Sequence, residues 1–101
     1  MLSEPPSKRM ERKVMVENLW FFILKLLKKK PRYGFELREL VEKEFGFLVG
    51  RVTSYRVLYS LEANGFVKCD NSSYKKKYSI TKKGEKELSE AAGFLRDIAR
   101  L

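Results

Sequence analysis

A mainly α-helical fold with one small β-hairpin (class α+β) is predicted by three features of the chain. Arg51 to Gly84 reads in order as a helix, a glycine turn, a strand, a lysine-rich polar loop, a second strand and a new helix cap. Ahead of it, Leu19 to Leu27 is apolar almost without interruption. After it, the last twenty residues carry a wide apolar stripe at helical spacing. That order of parts is a winged helix-turn-helix followed by an extra C-terminal helix.

Met1–Arg12 contains Pro5-Pro6 and mixed charge, and reads as a flexible basic arm or a frayed helix start. A first helix is predicted over about Lys13–Lys29. Its apolar centre is shorter than the roughly 18 residues a bilayer span requires, so no membrane partner is expected. A helix apolar on every side must be covered on every side, and one small domain has few elements to do it. A second subunit is therefore expected. Lys28-Lys29-Lys30-Pro31 stops this helix: the lysines suit its negative end, and the proline disfavours helical geometry in Lys30.

A second helix runs from Tyr33 or Gly34 to Phe45, with Phe35, Leu37, Leu40, Val41 and Phe45 as its apolar set. Gly46 caps it, Phe47-Leu48-Val49 forms an apolar turn, and Gly50 serves as N-cap for the third helix. In that helix Val57, Leu58 and Leu61 lie on one side, and Arg51, Tyr55, Arg56 and Tyr59 on the other. Asn64-Gly65 supply a left-handed C-cap. Strands follow at about Phe66–Asp70 and Lys76–Thr81, flanking the polar loop Asn71–Tyr74. Thr81 then caps a final helix over about Lys82–Arg100. The boundaries drawn are an arm at 1–12, a winged helix domain at 13–81 and a dimerisation helix at 82–101.

At 101 residues the chain is one domain, on which a two-lobed catalytic cleft is unexpected. Its net charge of +9 points to a polyanionic partner. The charge is uneven: residues 34–45 and 84–101 each hold four acids, so the surplus lies in the arm, the Lys28–Arg32 turn, the third helix and the wing. One-sided docking fits this distribution better than general solubility. A lone Cys69 and the absence of His leave no nucleophile–base pair and no metal-ligand spacing, so neither an enzyme nor a metal or cofactor site is expected. The single cysteine fits a reducing cytoplasm, and abundant Glu and Lys without Gln or His lean toward a thermophilic source.

Several motifs resemble those of PadR-type transcriptional regulators. They are Tyr33-Gly34-Phe35-Glu36-Leu37, Phe45-Gly46, Thr53-Ser54-Tyr55, Leu61-Glu62-Ala63-Asn64-Gly65-Phe66-Val67 and Tyr78-Ser79-Ile80-Thr81-Lys82-Lys83-Gly84. Each is weak alone, but their order and spacing over about Leu19–Leu95 are fairly specific. The resemblance implies a small dimeric winged-helix binder of double-stranded DNA, usually a repressor, with archaeal relatives among its kind. Two departures stand out: Gly50-Arg51-Val52 occupies the place where the family commonly has Ser-Pro-Gly, and a single terminal helix replaces a separate ligand domain. No small-molecule effector is assigned.

On this reading Arg51, Thr53, Ser54, Tyr55, Arg56 and Tyr59 face the major groove, with Arg51 and Arg56 aimed at guanine edges. Ser72, Ser73, Lys75 and Lys76 of the wing meet phosphate, as do Lys30, Arg32 and Tyr33 with the amide end of the second helix. Leu19, Trp20, Ile23, Leu27, Leu88, Ala91, Leu95 and Ile98 form the seam of a homodimer on an inverted-repeat site. Two alternatives are a DNA-coating architectural or plasmid-partition protein and a winged helix serving protein contacts. The second leaves the clustered arginines and lysines without a purpose.

Overall fold

The structure is a computed structural model that describes residues 4–101. In chain order the elements are α1 (Pro6–Glu17), α2 (Leu19–Lys29), β1 (Arg32–Tyr33), α3 (Gly34–Phe45), α4 (Arg51–Ala63), β2 (Val67–Asp70), β3 (Lys77–Ile80) and α5 (Lys82–Ala99). The start of the expected arm, Met1–Ser3, lies outside the described residues.

The expected helix over Lys13–Lys29 is two helices, and the first begins at Pro6. Proline suits that position because its ring presets the helical φ and the missing N–H would have been unpartnered there anyway. Asn18 breaks the run: its side-chain Nδ2 and its backbone N–H both donate to Val14 O at 3.1 Å, and its φ of −126° leaves the helical region. No residue of α1 is buried.

α2 is the centre of the molecule, packed against α3, α4, α5 and β3. Leu19, Ile23, Leu24, Leu26 and Leu27 are buried on it, and Leu88 of α5 joins them. This corrects the expected dimer seam, because Leu19, Ile23, Leu27 and Leu88 are used up inside one chain. α2 is also not apolar all round, since Lys25, Lys28 and Lys29 are exposed on its free side.

β1 was not expected; two residues are too few to show a period in sequence. It pairs antiparallel with β3 (Arg32 opposite Tyr78, Tyr33 opposite Lys77), giving the sheet order β1-β3-β2. β2 and β3 register Val67 with Ile80 and Cys69 with Tyr78, within one residue of the expected strand ends. Gly65 alone takes the left-handed conformation at the end of α4, with φ of +80°, while Asn64 stays at −93°. Phe66 N–H then closes the turn on Leu61 O at 2.9 Å. Thr81 caps α5 as expected, accepting from Gly84 N–H at 3.0 Å. No helix among the described residues is long and apolar enough to cross a membrane.

Candidate nucleic-acid interface

The buried side of α4 is Ser54, Leu58 and Leu61, four and three residues apart as helical periodicity requires, with Val57 only half-buried beside them. Ser54 is 4 % exposed, which removes it from the expected groove-facing set. Arg51, Thr53, Arg56 and Tyr59 are exposed. Tyr55 is half-buried, and part of its ring is committed to packing. A Cβ placed on Gly34 would stand 3.2 Å from Tyr55 Cε1 and 3.1 Å from Tyr78 Cε2, so a side chain there would have to push both rings back by a few tenths of an ångström.

The wing joins this surface through its lysines. Lys76 Nζ sits 5.6 Å above the Tyr59 ring on α4, Lys77 Nζ 5.3 Å above Tyr33, and Lys75 Nζ 5.7 Å above Phe35. Tyr33 and Phe35 are themselves stacked, with centroids 5.4 Å apart and ring planes 14° from parallel. An ammonium over an aromatic face is attracted by the ring quadrupole, at about 0.5–1 kcal/mol for an exposed pair. Three successive lysines are thereby drawn toward the start of α3 and the middle of α4. Phe35 is 56 % exposed, although the sequence reading placed it in the apolar set of its helix. The signal that would have found it is its offset from the Leu37 and Val41 face.

Other expected contacts are partly engaged already. Tyr33 N–H donates to Glu36 Oε1 at 2.9 Å and Gly34 N–H to Lys76 O at 3.1 Å, so the amides expected to meet phosphate have partners within the chain. Ser73 Oγ donates to Lys75 O at 3.0 Å and accepts from Lys75 N–H, which ties it into the loop's own turn. Ser72 N–H donates to Asp70 Oδ1 at 2.9 Å, and this bond holds the Asp70 carboxyl below its ordinary pKa. Asp70 therefore stays ionised beside the wing lysines. Lys30, Ser72, Lys75 and Lys76 are exposed, and Arg32 is half-buried with its Nε lacking a partner among the described residues. Between α3 and α4 lies a notch of about 310 Å³ lined in part by Phe35, Arg38, Arg51 and Tyr55. Arg38, exposed on α3, was not among the expected contacts.

The rest of the expected seam divides in two. Trp20 and Ala91 are half-buried, whereas Leu95 at 42 % and Ile98 at 47 % are exposed, together with Phe94 and Leu101. Among the described residues no group of His, Cys, Asp and Glu is arranged to hold a metal ion.

The family profile described as "Transcriptional regulator PadR-like family" matches residues 23–90. A transcriptional regulator from Clostridium thermocellum superposes with a TM-score of 0.78 at 23% identity, over 87% of this chain and 89% of that one. A PadR family transcription regulator from Clostridium difficile gives 0.72 at 24% identity, over 81% and 91%. Bacillus subtilis PadR, solved in complex with operator DNA, gives 0.66 at 26% identity, over 74% of this chain and 46% of that one. No curated protein sequence matches the chain.

Proposed function

The chain belongs to the PadR-like family of transcriptional regulators, and on that premise we propose that it is a repressor that reads double-stranded DNA as a homodimer. The observation that carries this reading is the Lys76–Tyr59 contact at 5.6 Å, because it puts the cationic wing and the exposed side of α4 on one continuous surface. Inserted in the major groove, α4 offers Arg51 and Arg56 to guanine edges, with Thr53 and Tyr59 beside them. Lys30, Lys75 and Lys76 supply positioning contacts to phosphate, which carry affinity and salt dependence but no sequence code.

Leu95 and Ile98, continued by Phe94 and Leu101, support the dimer, because so contiguous an exposed apolar stripe on α5 needs cover. A two-fold pairing through it would set two copies of α4 roughly 34 Å apart on an inverted repeat. Such a protein works in the cytoplasm on the nucleoid. Footprinting on DNA flanking its own gene tests the reading. A discrete protected site with internal symmetry is expected, and continuous spreading along the duplex would replace the repressor with a coating protein.

A further inference from the structure

Between α2 and α5 lies a groove of about 470 Å³ that shares no residue with α4 or the wing. Lys25, Lys28 and Lys29 of α2 line one wall, and Ser89 and Arg96 of α5 the other. Leu88, buried, and Ala92, half-buried, give it an apolar part. No carboxylate lines it. Lys29 is paired with Glu44 at 3.0 Å, but Lys25, Lys28 and Arg96 take part in none of the ion pairs among the described residues.

Lys28 and Lys29 suit the negative end of α2, and Arg96 the last turn of α5. That need is met by any direction a long side chain takes into solvent, and it does not call for the cations of two helices to share one concavity. Gathering like charges costs free energy unless an anion compensates it. Spacings of three and four residues set the lysines on one face, where Lys25 and Lys29 differ by about 6 Å of helix rise. A single carboxylate brings one negative charge to three cations that lack an ion-pair partner among the described residues, Lys25, Lys28 and Arg96. Adjacent phosphates offer several oxygens and more than one negative charge, and both ammonium and guanidinium groups bind them.

We propose that this groove binds a small molecule carrying two or more linked phosphates, its remaining part resting on Leu88 and Ala92. The site does not depend on the DNA reading of α4 and the wing. Inorganic tripolyphosphate, titrated into the full chain at low salt and followed by calorimetry and amide NMR shifts, is the direct test. Saturable binding is expected, with shifts centred on Ser89 and Ala92. The exposed pair Lys25→Ala/Arg96→Ala should keep the fold by circular dichroism and weaken binding about tenfold or more, whereas Lys75→Ala/Lys76→Ala should change it by less than about twofold. Adenosine triphosphate, which adds a ring to the same phosphates, should bind at least as tightly, and weaker binding would remove the apolar part of the proposal. Absence of saturable binding, or shifts and losses that follow the wing variant, would overturn the site and return the polyanion to the wing and α4.

Discussion

α2 carries a nearly continuous apolar run and the second half of α5 an apolar stripe, and the two meet opposite fates. Five of the eleven residues of α2 are buried, because three other helices and β3 close around it. In α5 only Gly84 and Leu88 are buried, and from Phe94 onward every side chain is exposed. Hydrophobic sequence therefore states that a surface needs cover without stating what covers it. The same division runs through α4, where Ser54 is enclosed and Arg56, two residues on, is free.

The largest expected effect tests the covered side. Leu24→Ala removes a fully buried side chain from the most enclosed helix and should cost about 2–5 kcal/mol in denaturant unfolding. Leu95→Ala, measured at concentrations where the protein is monomeric, should cost less, about 1 kcal/mol, because Leu95 is 42 % exposed in one chain and leaves no enclosed cavity when shortened. Equal losses would erase the contrast between the two helices.

A charge sharpens it further. Leu95→Glu should leave the circular dichroism of one chain intact and reduce the mass seen by light scattering at micromolar concentration from dimer to monomer. A wild-type protein that is already monomeric under those conditions, and binds DNA equally well as the variant, would refute a seam on α5.

Smaller effects are expected on the outer side of α4. Arg56→Ala should weaken binding to the preferred DNA by about 1–3 kcal/mol and relax the choice of base at one position. Unchanged affinity and preference would mean that this side of the helix does not read bases.

The least change is expected at the wing. Lys76→Ala should lower the slope of log affinity against log salt by about one, with the preferred sequence unaltered. Phe35→Ala removes a ring and no charge, so it should weaken binding by about 0.5–1 kcal/mol and leave that slope as it was. A changed slope in the Phe35 variant would show that the ring does more than hold Lys75 in place.

What the sequence determined by itself is what neighbouring residues decide between them. Thr81 capping α5, Gly65 reversing the chain after α4 and the polar loop between two short strands are each set within a few residues, by one hydroxyl, one missing Cβ or one run of turn formers. The ends of α3 and α4 follow from the same local chemistry. Asn18 is the local exception, because asparagine only competes for a carbonyl and the neighbouring apolar run masked its effect.

Tertiary structure alone decided which side chains are enclosed. Leu19, Ile23, Leu27 and Leu88 look like seam residues until α2 is seen surrounded by its own chain. Ser54 resembles its polar neighbours until the packing of α4 turns it inward, and Phe35 resembles core until it stacks on Tyr33 beneath Lys75. β1 exists only because β3 offers it an edge. Burial depends on surfaces brought together from distant parts of the chain, whereas caps and turns depend on atoms a few bonds apart, and only the latter are written in the local order of residues.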